Sequence, residues 1–191
     1  MRNTTMQNIR RAVGRSLPRF NKNNRGGVAV ETVLVAPVVF GLILASFELG
    51  ILFTQSIAIE SGVEEARRQT LIGKVQTYQS NDEQVAAVRT AFCSQAGWII
   101  FSCDKVYFDM RSFRNFSSIS IENPISNGVL DTKKLKFSPG GPCSIVVLRA
   151  YYTVTALTSF LYSNAFSLSD GRIVLTGAAA FKNEPFGPCA G

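Results

Sequence analysis

Three residue types in this 191-residue chain could do chemistry: glutamate inside an apolar run, cysteine, and glycine beside a charged arm. Glu31 and Glu48 are the only charges between Val28 and Ile59. A carboxylate inside an apolar helix is costly unless paired. Cys93, Cys103, Cys143 and Cys189 all follow the apolar run and form no CxxC pair, which argues against zinc. Their even number on one side of a membrane suggests two disulfides in an oxidising compartment, with four reduced core thiols as the alternative. The chain has no histidine, and so lacks the commonest general base and metal ligand. Asp104 and Asp109 are the one imaginable acid pair, and strand alternation points them to opposite faces. No Ser/His/Asp set, phosphate loop, metal box or dinucleotide motif appears. The chain reads as a non-enzyme without a cofactor.

The elements that must position these residues follow from charge and hydropathy. The net charge of +7 is local: Arg2, Arg10, Arg11, Arg15, Arg19, Lys22 and Arg25 precede residue 26, with no acid among them, and the remainder is balanced. A basic arm abutting an apolar segment is the positive-inside arrangement. Nucleic-acid binding, the other common use of a basic arm, fits poorly beside a membrane-length helix. Met6, Ile9, Val13, Leu17 and Phe20 recur at helical spacing and would lie on an anionic membrane surface until Pro18 and the 21–27 stretch end the helix. A mitochondrial transit peptide has a similar composition, but the long apolar run behind it makes that reading poor.

From Val28 to Ile59 the chain is almost wholly apolar. The step from Glu31 to Glu48 covers about 25 Å at helical rise, against a hydrocarbon core of about 30 Å, so the two could sit near opposite interfaces. Pro37 should kink this helix. Gly41, Ala45 and Ser46 form a small-residue patch that could pack on a partner helix or face lipid. The run is too long for a secretory h-region and no A-x-A signal follows, so it reads as an uncleaved anchor. The helix should continue through Ser56–Gly73, with Glu60, Glu64, Glu65, Arg67 and Arg68 placed for pairing one turn apart.

Asp82 is expected as the N-cap or first-turn residue of a second helix ending near Ala96. Strands are expected around Val106–Met110, at Phe116–Glu122, at Ile145–Thr158 and at Arg172–Lys182, with 123–143 as a loop. Helices first and strands later give an α+β class: a long N-terminal transmembrane helix, a second helix, then an antiparallel sheet. The expected organisation is a basic cytoplasmic leader at 1–26, a transmembrane helix at 27–55 and an extracytoplasmic domain at 56–191.

The string Arg25-Gly26-Gly27-Val28-Ala29-Val30-Glu31-Thr32 resembles a type IV prepilin processing site. The resemblance implies that a membrane peptidase cuts after Gly26, leaving Gly27 first and Glu31 fifth in the mature chain. Such cutting would want a small, extended residue before the scissile bond, which glycine supplies. Glu31 would then pair with the new amine of a neighbouring subunit. Val30-Glu31-Thr32-Val33-Leu34-Val35-Ala36-Pro37, Phe47-Glu48-Leu49-Gly50, the 61–68 stretch, Val88-Arg89 to Cys93 and Phe181-Lys182-Asn183-Glu184-Pro185-Phe186 resemble the TadE-like family of pilus assembly proteins. Thr32 departs from the family's usual aromatic.

The resemblance implies a minor pilin, or pseudopilin, of a Tad (Flp-type) pilus in the bacterial inner membrane, with its N-terminus cytoplasmic and its outer domain periplasmic. The implied partners are the membrane, the major Flp-type pilin and other minor pilins, a prepilin peptidase and the pilus inner-membrane platform. Helix packing would involve Pro37, Gly41 and Glu48. Glu31 and Glu48 could instead be interfacial residues, and Asn183–Phe186 a strand end that fixes the C-terminus. Cys93–Cys103 is expected to close a loop between helix and sheet, and Cys143–Cys189 to tie the last strand to the one starting near Ile145. An uncleaved bitopic scaffold binding an envelope component and a secreted adhesin domain are the competing readings.

Overall fold

A computed structural model describes residues 25–97, 102–126, 128–155, 168 and 172–189. The arm at 1–24, with its expected surface helix, lies outside them, as do residues 156–158 at the end of the third expected strand. The chain divides into two compact units, Met1–Ile43 and Leu44–Gly191.

Helix α1 spans Arg25–Leu71 and contributes to both units. Uninterrupted apolar residues with few turn formers favour it, and it runs through Pro37. Gly26 and Gly27 lie inside its first turn, not in an extended segment, because the apolar helix propagates back across them. Nearly every described residue of the first unit is exposed, including Val33, Leu34 and Phe40.

Within the second unit α1 ends in a Schellman motif. Gly73 has φ +83°, its N–H donates to Thr70 O (3.1 Å), and Lys74 N–H donates to Gln69 O (3.1 Å). These bonds satisfy two of the last carbonyls that every helix leaves open, and only glycine adopts that φ without strain. Helix α2, Asn81–Ala96, begins at Ser80, whose hydroxyl accepts from Glu83 N–H while the Glu83 carboxylate accepts from Ser80 N–H. Ser80 is therefore the cap, and Asp82 sits in the first turn, where a carboxylate favours the helix dipole. Val88, Phe92 and Ala96, four residues apart, form the buried face of α2.

Three strands follow in an antiparallel sheet ordered β1-β4-β5: β1 is Val106–Phe113, β4 Ile145–Thr155 and β5 Arg172–Lys182. The strand expected at Phe116–Glu122 does not form. Asn115 accepts from Ser118 N–H and closes a 3-10 turn over Phe116–Ser118, and this local bonding outcompetes the ladder. The expected loop at 123–143 contains a small hairpin, β2 (Ile125–Ser126) with β3 (Val129–Leu130), turning at Gly128 (φ +69°).

One face of the sheet meets the helices. Ile59, Val63 and Ala66 of α1 and Val88, Phe92 and Ala96 of α2 share a core with Val106, Phe108 and Met110 of β1, Val146, Leu148, Ala150 and Tyr152 of β4, and Phe181 of β5. Two glycines allow the close approach. A Cβ on Gly62 would lie 2.7 Å from the Phe92 ring, and one on Gly177 would lie 2.7 Å from Ile59. The Phe92 and Phe108 rings meet edge to face at 5.3 Å.

Candidate functional site

The first unit presents a helix surface with one carboxylate. Gly26, Gly27 and Glu31 are exposed, and a Cβ added at Gly26, Gly27 or Gly41 would meet no described residue outside its own stretch of helix within 4 Å. Pro37 lies within the same exposed stretch. An apolar surface of this size in water is strongly unfavourable, at about 25 cal/mol per Å², and demands lipid or another helix. One helix of the described residues is long and apolar enough to cross a membrane, and its most apolar stretch has no buried residue.

Glu48 is placed differently. It belongs to the second unit and is 8% exposed; Gln55, two turns on along the same helical face, is 7% exposed. The compact unit takes in α1 from Leu44 onward.

The C-terminal segment forms a clasp. Asn183 is 3% exposed; its Nδ2 donates to Pro139 O and Gly141 O (both 3.0 Å), and its N–H donates to Ser144 O (2.9 Å). Glu184 N–H donates to Leu71 O (2.9 Å), so the segment caps a helix carbonyl left open at the end of α1. The Phe186 ring lies where a Cβ on Gly73 would stand, at 2.5 Å. Disulfides join Cys93 to Cys103 and Cys143 to Cys189, with Cα–Cα separations of 6.0 and 5.4 Å. The first links the end of α2 to the start of β1, and the second ties the clasp to the turn before β4. Cys143 holds that turn at φ +63°.

Sequence reasoning missed the charge cluster on the other face of the sheet. Asp109 is 1% exposed. Its Oδ1 accepts from Arg111 Nε (3.1 Å) and Lys136 N–H (2.8 Å), and its Oδ2 accepts from Arg149 Nε (3.1 Å) and Nη2 (2.5 Å). Arg149 also donates to Glu122 O and stacks on Tyr151, while Arg111 donates to Lys134 O. The cluster thus draws the 122–136 segment across β1 and β4. Burial pushes the Tyr151 phenol above its usual range. Charges inside two otherwise apolar strands were the available signal. Asp104 lies outside this cluster, in the turn before β1. Among the described residues no group of three or more His, Cys, Asp or Glu is arranged to hold a metal.

The exposed helix, its carboxylate and the glycine pair at its start all fall in one stretch, and residues 26–68 match the family described as TadE-like protein. Residues 26–68 are a TadE-like segment. Such a segment implies a protein associated with the Tad pilus, and together with the exposed apolar helix it indicates a membrane anchor. The TadE-like segment includes Gly62, so it carries the contact with α2 as well as the apolar stretch. No curated protein and no solved structure matches the chain.

Proposed function

We propose that this chain is a minor pilin-like component of a Tad/Flp pilus assembly system, anchored in the bacterial inner membrane and assisting pilus biogenesis or initiation. The observation that carries this reading is the exposed apolar start of the TadE-like segment, bearing a single exposed carboxylate at Glu31. A lone carboxylate in a bilayer helix is costly, by up to about 3 kcal/mol at the centre and less towards an interface, and pairing with a cation of a neighbouring subunit would offset that. Cleavage after Gly26 would create such a cation at Gly27. Both glycines are helical, and each disfavours the helix by about 1 kcal/mol relative to alanine, so the first turn can open for a peptidase.

In this reading the helix joins like helices of the major Flp-type pilin and other minor pilins at the inner-membrane platform. The second unit, Leu44–Gly191, sets which neighbours fit. It would face the periplasm, where oxidation closes both disulfides. N-terminal sequencing of the protein extracted from membranes tests the proposal. A start at Gly27 is the expected result. An intact Met1 would replace it with the uncleaved bitopic scaffold. Glu31→Ala is expected to abolish or sharply reduce piliation, and unchanged piliation would remove Glu31 from the mechanism.

A further inference from the structure

The two edges of the sheet are finished differently. On β1 the edge is closed at its centre: Met110 N–H donates to Lys136 O and Ser138 N–H donates to Met110 O, both at 2.8 Å, and Phe137 forms a parallel bridge to Met110. On β5 the opposite edge is met at its start, where Leu168 N–H donates to Arg172 O (2.6 Å), but no described residue bonds it from Val174 to Ala180. The register shows which backbone groups lie there. Met110 points away from β4, so its partner Leu148 points towards β5 and bonds Ala179. Asn183 N–H donates to Ser144 O, which puts the same parity towards β4. The N–H and C=O groups of Val174, Thr176, Ala178 and Ala180 therefore point outward, and no described residue hydrogen-bonds to them.

Nothing in the strand protects this edge. Natural edge strands carry an inward charge, a proline or a bulge, or are short. β5 is 11 residues long, pairs without a bulge along its whole length, and has no charge or proline between Arg172 and Lys182. Thr176, Ala178 and Ala180 are exposed and small, so no side chain screens the backbone. We infer that the outer edge of β5 is a strand-addition site that receives an extended segment of a partner polypeptide, uncharged over the Val174–Ala180 span and acidic where it passes Lys182. Backbone hydrogen bonds would supply the affinity and the small side chains the close fit.

Charge and edge closure disfavour a second copy as the occupant. Antiparallel self-pairing in the register that overlaps the whole strand, centred on Gly177, sets Arg172 opposite Lys182 twice, and like charges directly opposite are destabilising; registers that avoid this shorten the overlap. Head-to-tail addition of β5 to β1 meets the closed edge at Met110. The site does not depend on whether Gly26 is processed.

The test uses the full chain in lipid nanodiscs. The probe is a synthetic peptide of alternating valine and threonine with glutamate at each end, and the control is the same peptide methylated on every backbone nitrogen. Residue-resolved hydrogen exchange should slow about tenfold or more at Val174, Thr176, Ala178 and Ala180 when the probe is added, and not with the control. Ala178→Pro, which removes one outward N–H at an edge position that tolerates proline, and Ala178→Lys should each abolish that slowing. Both variants should keep slow exchange at Leu175 and Ala179, which face β4; if the proline variant loses it, the lysine variant decides. Exchange unchanged by the probe at about 1 mM, or slowed equally by the methylated control, overturns the site. Slow exchange at the four outward amides without probe, in a species of dimer mass that Ala178→Lys converts to monomer, overturns the partner and assigns a second copy.

Discussion

The two halves of α1 are built from the same apolar residues and used in opposite ways. Before Leu44 the valines, leucines and phenylalanines face outward and the carboxylate, Glu31, is exposed with them. Beyond it Phe47, Phe53 and Ile57 are still exposed although Glu48 and Gln55 are buried, and from Ala58 on Ile59, Val63 and Ala66 are sealed into a core. Apolarity alone does not decide which part of the helix stays exposed and which is sealed into a core. The difference comes from what lies against each part: glycines at 62 and 177 admit Phe92 and β5 to the second, while among the described residues none would meet a Cβ at Gly41.

Substitutions can break this comparison, and the largest effects belong to the buried half. Phe92→Ala should lower the stability of the second unit by about 3–5 kcal/mol, while Phe40→Ala should change it by less than about 0.5 kcal/mol, read by denaturant unfolding in detergent. Equal effects would mean that α1 is packed along its full length. Asp109→Asn should cost about 3–5 kcal/mol, because two arginines that are largely buried lose their counter-charge; a stability near wild type would show the cluster to be solvated.

Smaller changes sharpen the contrast. Gly62→Ala should destabilise by about 1–3 kcal/mol through contact with Phe92. Gly41→Ala meets nothing within 4 Å and should leave the helix unchanged or up to about 1 kcal/mol more stable. The same melting experiment on both variants checks the pair. The smallest effect is alkaline. The Tyr151 phenol has its pKa raised by burial, so the folded state holds its proton longer than the unfolded state. The associated stability is complete below the unfolded value near 10 and is lost as pH rises through the folded value. Tyr151→Phe should lose less stability than wild type between about pH 10 and 11.5, measured by urea midpoint.

Much of the layout was legible in local pattern. The helix from the apolar run, the second helix ending at Ala96, and the strands at 106–113, 145–155 and 172–182 each carry a period or composition of their own. The Phe116–Glu122 strand was misread because the serines after Asn115 offer the backbone a local turn, and alternation does not register that competition. Asp109 was read only against Asp104, since the arginine that reaches its Oδ2 is 40 residues away.

The sequence by itself determined the basic arm, the membrane-length helix with Glu31, the α+β order and the TadE-like resemblance, because each rests on neighbours a few residues apart. Three-dimensional packing is what buries Glu48 but not Glu31, brings Glu184 N–H onto the end of α1, and covers one sheet edge while the described residues leave the other unbonded from Val174 to Ala180. Those outcomes depend on backbone groups and close approaches between segments far apart in the chain, and hydrogen-bond partners at that range leave no period to read.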